Sequence, residues 1–400
     1  MRVLLSTWGS RGDVEPLLGL ALELRAQGVE VRMCAPPDFA ERVAEVGVPF
    51  VSLGSAVREL VASKPAPAQV AAMLVGQHFD VIGTVAQDCD AVVATGLMPA
   101  GVRSVAEHLG IRYVLAGFHS VGMPSLHRRP GPRPGAPFPP GETDLRVLWR
   151  IDAERVDALY REPLNMHRAV LGMPPVDNVR DHVLTSRPWL AADPVLWPFE
   201  DALGFDVVQT GAWIMPDDRP LPAGLVAFLE AGEPPVYVGF GSMQMTGAPD
   251  AAVVAVEAIR AHGRRALVSR GWADLTLIDE KDDCFAVGEA NHRALFRRVA
   301  AVVHHGGAGT TTTAALAGAP QVIVPQIVDQ PYWAQRVTEL RIGAGHDGPT
   351  PTVASLSAAL GTALRDDTAV RAAEVGTTIR TDGAAVAARK LVNLITRAPE

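Results

Sequence analysis

The sequence predicts an α/β protein built from two similar parallel-sheet domains, and three observations carry that prediction. The chain has 400 residues, about right for two domains of roughly 200 residues each. Its opening segment alternates strand-like and helix-like patterns, which a parallel sheet requires because its strands are joined by long crossovers. The same alternation begins again near residue 236.

In order along the chain, Val3 to Ser6 reads as a strand and Thr7 to Val14 as a loop. A helix follows, with Leu17, Leu18, Leu20, Ala21 and Leu24 on its apolar face. Gly28 ends it, and Val29 to Cys34 forms the next strand. Phe39 to Val46 is helical in pattern and Phe50 to Leu53 extended. In the second half, Val236 to Phe240 is a strand, Gly241 to Pro249 a loop, Ala251 to Ala261 a helix stopped by Gly263, and Ala266 to Ser269 a strand. The helix ends Arg25-Ala26-Gln27-Gly28 and Arg260-Ala261-His262-Gly263 are alike, a weak sign of an internal repeat. Gly, Pro and Asp interrupt the periodicity between Pro198 and Arg219. The expected division is therefore a first domain over 1–200, a linker over 201–219 and a second domain over 220–378. A C-terminal helical segment, 379–400, is free to pack back on the first domain. Residues 117–143 hold seven prolines and five glycines and read as one long loop. It is either an exposed mobile insertion or a flap that contacts substrate.

Composition limits the functions open to such a chain. With 48% hydrophobic and 20% charged residues and a mean hydropathy of +0.15, it can bury a large core and is not a disordered polymer. The net charge of −8 comes from acids and bases mixed along the chain. No basic stripe is left to track a phosphate backbone, so nucleic acid is not an expected partner. Met1-Arg2-Val3-Leu4-Leu5-Ser6-Thr7 turns polar too early for a signal-peptide core, and no run of about 18 apolar residues follows. The expectation is a cytoplasmic monomer without stable membrane insertion. Cys34, Cys89 and Cys284 stand apart with no CxxC, which supports neither a disulfide framework nor a cysteine zinc site. His78, His119, His127, His167 and His346 are scattered and read as surface or loop residues, so no bound metal is expected. Trp189, Trp197 and Trp213 read as packing anchors near the domain junction.

Three motifs carry chemistry. In Val302-Val303-His304-His305-Gly306-Gly307-Ala308-Gly309-Thr310, an apolar strand runs through small residues into a helix. Unpaired backbone N–H groups and the positive helix end then converge where an anion can approach, and a diphosphate is the natural guest. His305 can donate a hydrogen bond to a phosphoryl oxygen; a tight turn with a satisfied histidine is the plainer alternative. Asp329-Gln330 follows the next buried strand, Pro320 to Pro325. A carboxylate beside an amide suits sugar hydroxyls, although Asp329 could equally cap a helix ahead of Pro331. Gly9-Ser10-Arg11-Gly12-Asp13-Val14-Glu15-Pro16 closes the first strand. Asp13 could accept a proton from an attacking hydroxyl, or simply cap the helix near Pro16.

Together with Gly239-Phe240-Gly241-Ser242-Met243, these motifs resemble the family 1 nucleotide-sugar glycosyltransferases of the GT-B fold, in which two Rossmann-like domains face a central cleft. The chain is most similar to the vancomycin-group glycopeptide antibiotic enzymes, in order and spacing over essentially its whole length. That resemblance implies inverting transfer of a (deoxy)hexose from a TDP- or UDP-sugar to a hydroxyl of a glycopeptide aglycone or pseudoaglycone. No tightly bound cofactor and no metal are required. By the same resemblance Asp13 corresponds to the general base, and Ser10, Arg11 and Gly12 lie where the first lobe meets the donor. Ser242, His305, Gly306, Gly307, Ala308, Gly309 and Thr310 match diphosphate-binding positions, and Asp329 and Gln330 match donor-sugar contacts. The segment with Val287, Glu289 and Asn291 occupies the place of the nucleotide base. Gly-Ala-Gly stands here where plant relatives carry a Trp-Asn pair, so their sugar contacts do not transfer. Other readings left open are a sterol, lipid or polyketide glycosyltransferase of the same fold, a nucleotide-sugar epimerase, and a non-catalytic donor-binding auxiliary protein.

Overall fold

The structure is a computed structural model and describes residues 1–63, 65–131, 137–199, 202–241, 250–269 and 281–397. The chain divides into two units, Met1–Pro194 with Phe199–Met215 and Thr381–Glu400, and Val195–Pro198 with Pro216–Arg380. Within the segment expected as a linker, 201–219, residues up to Met215 group with the first unit and those from Pro216 with the second.

Among the described residues, the first unit holds a parallel sheet of β1 (Arg2–Trp8), β2 (Glu30–Ala35), β3 (Phe50–Ser52), β4 (Ala91–Gly96), β5 (Arg112–Gly117), β6 (Trp189–Leu190) and β7 (Val208–Gln209). Their order is β3-β2-β1-β4-β5-β6-β7. Val3, Leu4 and Leu5 are wholly buried, as a continuous apolar strand must be when helices cover both faces of its sheet. The chain builds outward from β1 to β3 and then crosses to β4 on the other side of β1. The loops leaving β1 and β4 therefore part, and open a crevice at the carboxyl ends of those strands.

Helix α1 (Arg11–Ala26) buries Val14, Leu17, Leu18, Leu20, Ala21 and Leu24, and Gly28, at φ +77°, turns the chain out of its end. It starts earlier than the Thr7–Val14 loop allowed. The physical reason is a capping box: the Ser10 side chain accepts the Gly12 N–H while the Asp13 carboxylate accepts the Ser10 N–H, which satisfies two orphan donors and draws Arg11 to Val14 into the helix. The Gly383–Thr396 helix packs against α1 within the same unit. Gly211 and Gly383 let the backbone of this helix approach the chain after β7, since a Cβ on Gly383 would lie 2.5 Å from Gly211 C.

The 117–143 segment is irregular, and its residues 132–136 lie outside the described ones. The part up to 131 is fastened to its unit: Trp149 Nε1 donates to the carbonyls of Ser125 and Arg128, both at 2.9 Å, and Arg128 Nη2 donates to Ser120 Oγ at 2.6 Å.

In the second unit, β8 (Val236–Gly239), β9 (Ala266–Ser269), β10 (Cys284–Val287), β11 (Ala301–His304), β12 (Gln321–Ile323) and β13 (Gly343–Gly345) form a parallel sheet ordered β10-β9-β8-β11-β12-β13. The order repeats that of the first unit, with its own reversal between β8 and β11. Val236, Val238, Ile259, Val303, Val322 and Leu356 form its core. The helix is found over Ala251–Ala261, as its periodicity predicts. Trp197 stacks tilted on Tyr332 at 3.8 Å in this unit, while in the first unit Trp213 Nε1 donates to Thr210 Oγ1 at 3.0 Å and Trp189 is buried in β6.

Candidate active site

Each unit carries one strand-to-helix tip at the reversal point of its sheet, where open α/β sheets bind ligands. In the second unit the tip follows β11. Gly306 adopts φ +94°, and a Cβ there would lie 2.7 Å from Ile323 Cγ2, so only glycine lets the chain fold back over the strand end. Gly307 is the N-cap of the Ala308–Leu316 helix and makes no side-chain cap bond. Position alone therefore leaves the N–H groups of Ala308, Gly309 and Thr310 outside the intrahelical ladder, whose first bond here is Thr311 N–H to the Gly307 carbonyl at 2.9 Å. Thr311, Thr312 and Thr313 turn their hydroxyls back to the carbonyls of Gly307, Ala308 and Gly309, at 2.9, 2.8 and 2.8 Å. The Gly306 N–H points inward, donating to His304 Nδ1 at 3.1 Å, so the outward donors begin after it.

His305 stands beside this tip between two glycines. A Cβ on Gly241, which has φ +63°, would lie 3.2 Å from His305 Cε1, and one on Gly307 would lie 2.8 Å from His305 Nε2. The close approach of both backbones leaves the ring half-buried with its Nδ1 fully enclosed, and that atom has no hydrogen-bond partner among the described residues. Burial pushes its pKa down to about 4, with Asp329 pulling weakly the other way. At neutral pH the ring is therefore an uncharged imidazole with one N–H to give. Ser242 lies outside the described residues.

Asp329 and Gln330 follow β12. Asp329 holds the N-cap position of the Gln330–Glu339 helix but makes no cap bond; its Oδ2 instead accepts from Trp333 Nε1 at 2.7 Å. Gln330 is buried, and its Oε1 accepts the N–H groups of Gln326 at 2.7 Å and Ile327 at 3.1 Å. That clasp sustains Val328 at φ +55°, a left-handed conformation that costs a β-branched residue about 1–3 kcal/mol. Gln330 thus shapes the turn and Asp329 edges it. Asn291 is committed to structure: its Nδ2 donates to the carbonyls of Asp217 at 2.8 Å and Arg219 at 3.0 Å, and its Oδ1 caps Ala294 N–H at 3.1 Å. Val287 is buried at the end of β10, while Glu289 is exposed and 4.0 Å from Arg219.

In the first unit the tip follows β1. Asp13 Oδ2 accepts the Ser10 N–H at 2.8 Å and lies 3.4 Å from Ser10 Oγ, while Gly12 N–H donates to Ser10 Oγ at 3.2 Å. Arg11 Nε bonds Glu15 Oε1 at 3.1 Å, and Glu15 is held from the other side by Arg42 at 2.9 Å. Asp13 also edges a pocket of about 170 Å³ whose walls include Thr95, Met98, Leu115, Phe118, His119 and Met123. Sequence reading missed Gly9 here: a Cβ on it would lie 2.6 Å from Asp13 Cγ, so the missing side chain makes room for the carboxylate.

One expectation about histidine needs correction: His78 is buried in a helical turn, neither superficial nor in a loop, whereas His346 lies in the loop after β13, although buried there. His78 has its pKa pushed down to about 3 by burial, and His346 bridges the Gly348 carbonyl and Ser355 Oγ at 2.9 and 2.7 Å. Among the described residues no group of three His, Cys, Asp or Glu is placed to hold a metal ion, and no helix is long and apolar enough to cross a membrane.

Two sheets of this order, with a helix tip suited to an anion on one and a carboxylate beside a pocket on the other, are the Rossmann-like arrangement of nucleotide-binding α/β proteins. Comparison with known proteins narrows this. Residues 3–119 match the glycosyltransferase family 28 N-terminal domain, and residues 285–390 match the erythromycin biosynthesis protein CIII-like C-terminal domain. The chain is 57% identical to glycosyltransferase GtfE of Amycolatopsis orientalis, over 97% of this chain and 96% of the relative. It is 54% identical to the vancomycin aglycone glucosyltransferase of the same organism, over 99% and 98%. A dTDP-epi-vancosaminyltransferase from that organism is 48% identical over 94% and 93%. Among solved structures, the fold is shared with spinosyn forosaminyltransferase SpnP (TM-score 0.76, 20% identity, 99% and 100% covered) and with glycosyltransferase VinC in complex with dTDP (TM-score 0.71, 18% identity, all of both chains covered). The chain belongs to the GT-B glycosyltransferases, in the vancomycin group of glycopeptide antibiotic enzymes.

Proposed function

We propose that this protein moves a (deoxy)hexose from a TDP- or UDP-sugar to a hydroxyl of a glycopeptide aglycone or pseudoaglycone, in one displacement that inverts the anomeric carbon. The observation that carries the reading is the Asp13 carboxylate, held by Ser10 at the edge of a largely apolar pocket. A pocket near 170 Å³ takes about one aromatic ring, since a cavity of roughly 150 Å³ admits benzene. The acceptor would therefore seat a single ring there and offer its hydroxyl to Asp13. The relatives named for vancomycin aglycone and epi-vancosamine favour a glycopeptide acceptor over a sterol or lipid.

In the proposed step the acceptor oxygen forms a bond to the anomeric carbon as the bond from that carbon to the diphosphate oxygen breaks. The acceptor proton passes to Asp13, and the electron pair of the broken bond leaves with the diphosphate. The transition state is oxocarbenium-like, so it needs a base on one side and positive character around the leaving group on the other. The Gly307–Thr310 amides and the neutral His305 N–H supply the latter as hydrogen-bond donors. A carboxylate is by its chemistry only a modest base, so most of the acceleration comes from holding the two substrates in line.

Incubation with TDP- and UDP-hexoses and glycopeptide aglycones, read by mass spectrometry and by the anomeric coupling constant of the product, tests this. A single added hexose of inverted configuration is expected. Retained configuration, or hydrolysis of the donor with no acceptor consumed, would refute it.

A further inference from the structure

Behind the β11 tip lies a pair of wholly buried polar side chains to which the proposed reaction assigns nothing. Val302 and Gln321 are register partners across β11 and β12, so His304, two residues on, shares a sheet face with Gln321 and is its diagonal neighbour. Both side chains are fully buried, and His304 Nε2 lies 2.9 Å from Gln321 Oε1. On the other side of the ring, His304 Nδ1 lies 3.1 Å from the Gly306 nitrogen. A backbone N–H can only donate, so Nδ1 is the lone-pair nitrogen and Nε2 carries the proton, donated to Gln321 Oε1. The carboxamide oxygen thus selects the tautomer, and the tautomer makes the ring an acceptor for Gly306.

The consequence falls on the tip. With its amide tied inward and its φ at +94°, Gly306 turns the chain so that Gly307 begins the helix and the next amides face outward. The His305 ring, on the opposite face of the strand from His304, is set by the same turn. If the inward bond were absent, Gly306 could rotate, and the donors to an anion would lose their common direction.

We propose that His304 and Gln321, neither of which can touch a ligand, are positioning residues that hold the glycine tip in its anion-binding conformation through the chain Gln321 Oε1, His304 imidazole, Gly306 N–H. The inference rests on the reading of this tip as the diphosphate site. Removing the acceptor strands a buried donor, a loss corresponding to about ten- to a hundredfold in an equilibrium constant.

The test is calorimetric titration of the full chain with thymidine diphosphate and, separately, thymidine, for the native protein and for His304→Leu, His304→Asn and Gln321→Leu, alongside melting temperatures. His304→Leu should weaken diphosphate binding at least about tenfold with thymidine affinity unchanged. His304→Asn keeps an acceptor near Gly306 and should restore most of the loss. Gln321→Leu should fall between and carries the test if His304→Leu does not fold. Imidazole nitrogen NMR should show a protonated Nε2 and a bare Nδ1. A lower melting temperature with unaltered diphosphate affinity in every variant, or the opposite tautomer, would overturn the proposal. If the native protein bound thymidine but not its diphosphate, the diphosphate-site reading itself would fail, and this inference with it.

Discussion

Gly9→Ala probes the base assignment without touching the base. The backbone at Gly9 is not left-handed, so alanine would act through its Cβ alone, which would sit 2.6 Å from Asp13 Cγ. An ordinary carbon contact is about 3.5–4.0 Å, so the carboxylate has to retreat by roughly 1 Å and loosen its bond to the Ser10 N–H. A displacement of about 1 Å at a reacting group costs on the order of a hundredfold in rate. Loss of the capping box costs about 1 kcal/mol in stability, not enough to unfold the chain. Single-turnover transfer followed by mass spectrometry should show the hundredfold deficit, while thymidine diphosphate affinity measured by calorimetry stays native. A Gly9→Ala enzyme within a factor of about two of the native rate would show that the Asp13 position set by this contact does not matter to the chemistry.

Three further outcomes follow from the same geometry. Asp13→Asn keeps an oxygen for the Ser10 N–H and so should fold normally, yet transfer should fall by about 10²- to 10⁴-fold; unchanged transfer would remove Asp13 as the base. His305→Ala should weaken thymidine diphosphate binding about tenfold, the worth of a hydrogen bond to a charged group, and equal affinity would detach the ring from the diphosphate. Acid should destabilise the fold from pH 6.5 downward. His78 and His304, at about 3, and His305, at about 4, stay neutral when folded but bind protons when unfolded. The unfolded chain then holds more protons in that window, so stability falls as pH falls, by up to about 1.4 kcal/mol per pH unit for each histidine. Melting temperatures flat between pH 7.5 and 5 would contradict the buried neutral rings.

Much of this was legible before any coordinates, and the divisions are physical. Leu17, Leu18, Leu20 and Leu24 repeat at helical spacing, and Val236 to Gly239 is an uninterrupted apolar run, so both elements follow from periodicity. The start of α1 is not legible in the sequence because Ser10 and Asp13 act as a reciprocal pair, and the loop-like glycines around them conceal it. Strands β6 and β7 are two residues long, too short for any pattern to announce. His305 could be singled out because two glycines follow it directly. The roles of Gly9, His304 and Gln321 depend on atoms brought together by folding. Asn291 shows the converse limit: an amide that can contact a base can equally pin a loop, and its hydrogen bonds here pin Asp217 and Arg219.

The account turns on where a diphosphate binds. A crystal structure with thymidine diphosphate should place its phosphoryl oxygens within hydrogen-bond distance of the Gly307–Thr310 amides and of His305. A well-ordered diphosphate bound elsewhere on the second unit, with that helix tip bare, would contradict it.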